Sequence, residues 1–269
     1  IRNYQPYYPD GLENFYRYKQ VAFQEWRTLF HQGKLTPQQA AFFLPKKVEG
    51  LYDLVNDPFE MNNLASNPKY QAKLLQLRGL LQQHQREIPD LGFFAESTLV
   101  QTATSNSFYD YGQEQKARIL QLISIADLQL EPFNQVEAQL LAALNHKDAD
   151  IVYRAVIVAT SFGQQAKIFV PRIKKLLTDV NSIQVRSRAL EFLTMVDDFD
   201  PTKVFAHLYQ SANHDLEKVE LLNIATLLKE QRGFIFKQPK GATTPVTENG
   251  KLAKMVKVWL NNRWKFISK

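Results

Sequence analysis

Lys251, Lys254 and Lys257 recur every three residues near the end of the chain, beside Leu252, Met255, Val256 and Trp259. On a helix the two sets would separate into a cationic and an apolar side. A row of ammonium groups can contact an anionic glycan, a nucleic acid or a membrane surface. The plainer alternative is the solvated face of a docked last helix. Residues 233–269 hold eight Lys/Arg and one acid, Glu248, whereas the whole chain has 33 Lys+Arg against 27 Asp+Glu. The formal net charge of +6 therefore belongs to this tail, and any argument from basicity to partners concerns the tail alone. An anionic glycan fits such a surface, and no specific nucleic-acid partner is expected.

Other reactive residues are sparse. The five histidines, His31, His84, His146, His207 and His214, form no H-E-x-x-H or similar metal spacing and read as surface or helix-face residues. There is no Cys, so thiolate zinc sites, disulfides and thiol nucleophiles are all excluded. No P-loop, dinucleotide fingerprint or G-x-S-x-G elbow occurs. A hydrophobic content of 45% with 22% charged residues fits a globular chain. No run of 18 apolar residues is present that could form a transmembrane segment. The chain opens on Ile rather than Met, which suggests a processed product, a truncated chain or a proteolytic fragment.

The elements that would position these residues fall into three regions. Ile1–Tyr8 reads as a β-strand running into a Pro turn, and Leu51–Val55 alternates like a half-buried strand. Val21–Phe30 reads as a helix stopped by Gly33. Thr36-Pro37 caps a second, short one over Gln38–Phe43. Asn67-Pro68 opens a helix over 68–88, in which Tyr70, Leu74, Leu77, Leu81 and Ile88 keep helical spacing. The polar run Gln101–Ser107 reads as a linker or surface loop, residues 113–232 as helical throughout, and Leu252–Leu260 as a tail helix.

The helical half repeats itself at a shift of 32 residues. Leu141 and Leu144 fall on Ile173 and Leu176, then on Phe205 and Leu208; Arg154 falls on Arg186, then on Lys218. Each unit is a helix, a polar turn and a second helix, and needs neighbours to bury its stripe. Asp150-Ile-Val-Tyr-Arg154 and Ser182-Ile-Gln-Val-Arg186 resemble the turn and second-helix start of HEAT-type repeats. The alternative is an irregular helical bundle with a chance period.

Residues 49–65, Glu-Gly-Leu-Tyr-Asp-Leu-Val-Asn-Asp-Pro-Phe-Glu-Met-Asn-Asn-Leu-Ala, closely resemble a segment near the C-terminus of sulfatases of the alkaline-phosphatase superfamily. There the pattern is roughly E-L-Y-D-L-x-x-D-P-x-E-x-x-N-L-A, followed by a helix. Gly50 departs from it, standing where the family usually has Glu. Ile1–Tyr4 and Phe42-Phe43-x-Pro45-Lys46 look like the strand and the lead-in that precede this segment. Physically, Tyr52 and Leu54 would face a core from a strand. Asp57 would cap a helix and Glu60 would complete its capping box. Asp53, Asp57 and Glu60 therefore read first as structural, ahead of any metal or catalytic role.

The resemblance implies a sulfuric-ester hydrolase. Its nucleophile is a formylglycine made from a C/S-x-P-x-R motif, working beside calcium, and secretion or periplasmic residence would follow. In this family that machinery lies upstream of the matching segment. Here the nearest motif is Ser66-Asn-Pro68-Lys-Tyr70, with Tyr where Arg is needed. No catalytic residue, metal ligand or cofactor is thus expected within these residues; calcium and formylglycine are implied for a missing N-terminal catalytic domain, the expected partner. The resemblance also implies that Tyr7, Tyr8, Arg17 and Lys19 could contact substrate, Tyr faces stacking on sugar rings and the cations pairing with sulfate. The alternative is that these tyrosines pack against the missing domain.

The expected fold is an α+β subdomain of sulfatase C-terminal type over 1–98, with a small antiparallel sheet. A linker over 99–112, an all-α HEAT-like solenoid over 113–232 and a basic segment with a terminal helix over 233–269 would follow. The expected function is that of a C-terminal portion of a sulfatase acting on sulfated carbohydrate. It would complete the fold and the cleft and be inactive alone. The competing expectation is a non-catalytic scaffold that binds a protein or a polyanionic glycan.

Overall fold

A computed structural model describes residues 1–14, 16–102, 107–245 and 251–269, with backbone only for Tyr18, Gln101, Thr102, Lys251 and Leu252. Among the described residues the fold is helical and contains no strand. The small antiparallel sheet expected over 1–98 is therefore absent. In its place stands one isolated antiparallel bridge, Arg2 to Glu49. Backbone bonds from Asn3 N to Val48 O, Gly50 N to Ile1 O and Lys46 N to Pro6 O hold the two segments side by side. Pairing goes no further because residues 5–8 turn, with Tyr8 N bonded to Gln5 O, and Pro6 has no amide to donate.

The helix signals in this half hold better. Helix α1 (Val21–His31) ends at Gln32, and Gly33 follows with φ +66°, a left-handed position that glycine occupies without strain. Thr36 and Gln39 form a full capping box at α2 (Pro37–Ala40), which tightens into a single 3-10 turn over Ala41–Phe43. Asn67 caps a 3-10 turn at Pro68–Tyr70 that leads into α3 (Gln71–Glu87).

Helices α4 (Glu96–Thr102) and α5 (Phe108–Glu114) occupy much of the expected linker; residues 103–106 of that reading lie outside the described residues. Then come α6 (Lys116–Asp127) and three consecutive helix pairs. These are α7 (Phe133–Leu144) with α8 (Ala149–Ser161), α9 (Val170–Asp179) with α10 (Ile183–Asp197), and α11 (Thr202–Ser211) with α12 (Asp215–Arg232). Residues related by the 32-residue shift occupy equivalent interior places. Leu144, Leu176 and Leu208 are buried in the first helices, and Ile157, Ala189 and Leu221 in the second. Leu141 departs from the pattern and is exposed. Helix α8 is buried from Asp150 to Thr160, between α6, α7 and α10. Each fully buried aliphatic side chain contributes about 1.5–3 kcal/mol by leaving water.

Two hydrophobic clusters result. The larger joins α6 to α10 with Tyr7, Phe93 and Phe94, so the N-terminal arm is part of the helical core. The second joins α11 and α12 to Phe236 and to α13 (Lys251–Ile267), through Val256, Leu260, Trp264 and Ile267. The tail helix thus runs well past its expected end at Leu260 and docks on α12.

Candidate functional site

Within residues 49–65 the expected strand and helix start are replaced by a loop held by its own polar side chains. Asp53 accepts from Val55 N at 3.2 Å and Asn56 Nδ2 at 2.8 Å, and its carbonyl accepts from the amides of Asn56 and Asp57. Asp57 commits both oxygens to amides, Met61 N at 2.9 Å and Asn62 N at 2.7 Å. Asn63 Oδ1 accepts from Leu51 N and Ala65 N, both at 3.0 Å, while its Nδ2 donates to Glu49 O. Such Asx bonds offer the backbone an alternative to strand or helix, which is why neither forms. Glu60 completes no capping box and adopts a left-handed φ of +54°. Leu54 points to solvent rather than to a core. Gly50, the departure from the family pattern, lies against the Tyr52 ring, where a Cβ would come within 2.8 Å. Arg78 on α3 anchors the loop with a two-pronged bond to Glu49, at 3.0 and 2.6 Å.

Asp57→Ala should loosen this loop at a cost of about 1–2 kcal/mol, since two amides lose their acceptor. Urea unfolding measures the loss. Faster amide exchange confined to Met61 and Asn62 locates it.

The residues proposed for substrate contact separate. Tyr7 is buried, and its hydroxyl donates to Glu191 Oε1 at 2.7 Å; the half-buried Tyr8 donates to Oε2 of the same carboxylate at 2.5 Å. Arg188 donates to Glu191 at 2.8 Å, to Tyr8 Oη at 3.2 Å and to Tyr153 Oη at 3.2 Å. Burial first, and then the Glu191 charge, push both the Tyr7 and Tyr8 hydroxyls well above their ordinary pKa. This cluster fastens the N-terminal arm to α10. Sequence reading missed Arg188 and Glu191, for which the opposite charges at i,i+3 spacing on a largely apolar helix were the available signal. Arg17 donates to Leu12 O at 2.6 Å and lies over the rings of Phe23 and Phe42, and Lys19 is exposed.

In the tail, Lys254 and Lys257 are exposed on α13; the side chain of Lys251 lies outside the described residues. Arg263 is one of the eight tail cations. It sits on the inward stripe set by Val256, Leu260, Trp264 and Ile267, and a charge at such a position is itself a signal. Arg263 lines a cleft of about 370 Å³ between α13, α12 and the arm that carries α1. The histidines are scattered, with His146 Nδ1 accepting from Asp148 N and His214 Nδ1 from Leu216 N. Among the described residues no three His, Cys, Asp or Glu side chains converge as a metal site would require.

No family model matches the chain. No solved structure matches it either. Over 101 residues, 37% of its length, the chain is 41% identical to an ulvan-active sulfatase of Formosa agariphila. The matched stretch is 17% of that protein, so the chain spans a small part of the relative's length. In that stretch the chain is related to a sulfatase.

Proposed function

We propose that this chain is the C-terminal portion of a sulfatase that hydrolyses sulfate esters of a sulfated carbohydrate. It completes the fold of a catalytic domain that supplies the nucleophile and the metal site. The observation that carries this reading is the 41% identity over 101 residues. The described residues do not fit a calcium site and the chain has no Cys, so no catalytic step is assigned to its own side chains.

Unburied apolar surface supports a docking role. Of the five leucines on α3 only Leu74 is buried; Leu75, Leu77, Leu80 and Leu81 are exposed. In the preceding loop Val55 is 90% exposed and Phe59 83%. Leu77, Leu80 and Leu81 fall on one side of α3, and in this reading what covers them is the catalytic domain, in the same polypeptide or an associated chain. Helices α7–α12 are then HEAT-like hairpins that buttress the arm from behind. A secreted or periplasmic setting belongs to the same reading.

Hydrolysis of 4-nitrophenyl sulfate tests it. The chain alone should give no turnover, and the polypeptide of the complete reading frame, with its formylglycine matured, should give turnover. Activity of the isolated chain would sink the proposal. Phe59→Asp should change this chain's own stability by no more than about 0.5 kcal/mol, as a surface substitution does. The same change should depress turnover of the complete polypeptide.

A further inference from the structure

The cleft at Arg263 is short of negative charge. Arg27, Arg263, Lys265 and Lys269 line it, against one lining carboxylate, Glu13. Glu13 is already bound by Arg27 at 2.9 Å, and Arg27 also bonds Glu230 on α12. Arg27 lies over the Phe266 ring at 4.6 Å and Lys229 at 5.0 Å, which brings still more positive charge to this wall.

Six of the twelve guanidinium groups of the chain have a carboxylate close by. Arg2, Arg27, Arg78, Arg118, Arg188 and Arg232 each lie within 3.5 Å of a carboxylate. Arg17, Arg154, Arg172 and Arg186 donate to backbone carbonyls. Arg263 is half-buried, and among the described residues its bond is to a neutral amide, Asn223 Oδ1 at 2.8 Å. A guanidinium withdrawn from water without a counter-charge is costly; the deeply buried Arg154 meets that cost with backbone carbonyls, whereas Arg263 makes one described bond and opens on the cleft. Burial alone pushes the Arg263 pKa down. Lys229 is pushed down first by burial, with Glu230 opposing and Arg27 and Lys269 adding to the shift.

We propose that this cleft binds the oxyanion group, sulfate or carboxylate, of an anionic saccharide unit. Arg263 is the buried anchor and Lys265 the exposed second cation. Guanidinium matches either oxyanion with parallel N–H donors. The cleft volume of about 370 Å³ suits a single sugar ring. This assignment concerns the cleft of this chain and stands or falls apart from the sulfatase reading, since it is tested by binding and not by turnover.

Titration calorimetry on the purified chain, with galactose 6-sulfate, glucuronate, inorganic sulfate and neutral galactose, tests it. The two sugar anions should bind saturably, more weakly as NaCl is raised, and galactose should not. Which of them binds more tightly assigns the oxyanion. Arg263→Met should weaken binding about tenfold, the scale of one lost charge-assisted contact, without lowering the thermal midpoint. Lys265→Gln, at an exposed position that leaves folding untouched, should weaken it by a smaller factor. Three results would overturn the assignment: galactose binding as tightly as its sulfate, both variants binding like the parent, or inorganic sulfate binding while neither sugar anion does.

Discussion

Replacing Glu191 by Ala should destabilise the protein by about 3–5 kcal/mol, the range expected when one partner of a buried ion pair is removed. Glu191 is wholly buried, and three side chains converge on it: Tyr7, Tyr8 and Arg188. Without the carboxylate Arg188 becomes an uncompensated interior charge, and two hydroxyls lose their acceptor. Glu191→Gln keeps the shape and an acceptor for one hydroxyl and should cost less. Tyr7→Phe removes one hydrogen bond, about 1 kcal/mol. Urea midpoints rank the three. The same cluster sets an alkaline limit. The folded chain holds the Tyr7 and Tyr8 protons more tightly than the unfolded chain does, because both pKa values are raised above 10.0. Their contribution is therefore fully present below pH 10 and drains away above it, as the unfolded chain releases protons that the folded one retains. The urea midpoint should be flat on approaching pH 10 and fall beyond it, and a Tyr7→Phe, Tyr8→Phe double variant should fall less.

Trp264→Ala should cost a similar amount, about 3–5 kcal/mol for a fully buried aromatic side chain. The indole is fully enclosed; it meets the Tyr209 ring edge-on at 5.0 Å and donates Nε1–H to Tyr209 Oη at 3.0 Å. Tyr209 Oη in turn donates to Ala242 O at 2.7 Å. Burial raises the Tyr209 pKa to about 12, so this relay stays protonated across the neutral range. Losing Trp264 opens the joint between α12 and α13 and with it the wall that carries Arg263 and Lys265. The variant should therefore lose both denaturant resistance and saturable binding of galactose 6-sulfate. Trp264→Phe keeps much of the packing but not the donor and should lose about 1 kcal/mol.

What the sequence made legible was local. Thr36-Pro37, Asn67-Pro68 and Ser182 announce helix starts because the bonds they make close within three residues, and all three caps form. The 32-residue spacing likewise reports which helix positions face inward. The two expected strands failed for a physical reason. Leu51–Val55 alternates in hydropathy, but Asp53 and Asn63 supply hydrogen bonds to nearby amides and stabilise turns instead. Ile1–Tyr8 has strand-like residues, but its backbone pairs only briefly with residues 46–50 while Arg2, Tyr4, Tyr7 and Tyr8 find side-chain partners on helices. From the sequence, Tyr7 and Tyr8 read as faces for a sugar ring or for a missing domain, and neither reading supplies a partner for their hydroxyls. That the contact would be Glu191 was beyond local reading, because 184 and 183 residues separate them. Arg263 was legible in principle, as a cation on the apolar stripe of its own helix.

That separation along the chain has a consequence for synthesis on the ribosome. Tyr7 emerges first, yet its acceptor follows 184 residues later, which at the usual pace of translation is a wait of roughly ten to forty seconds. The nascent arm cannot fasten during that interval, while α6 to α9 can already pair from short-range contacts. Closure of the arm is thus expected as a late event. A chaperone that holds Tyr7 and Tyr8 in the meantime would raise the yield of folded protein without touching its final stability.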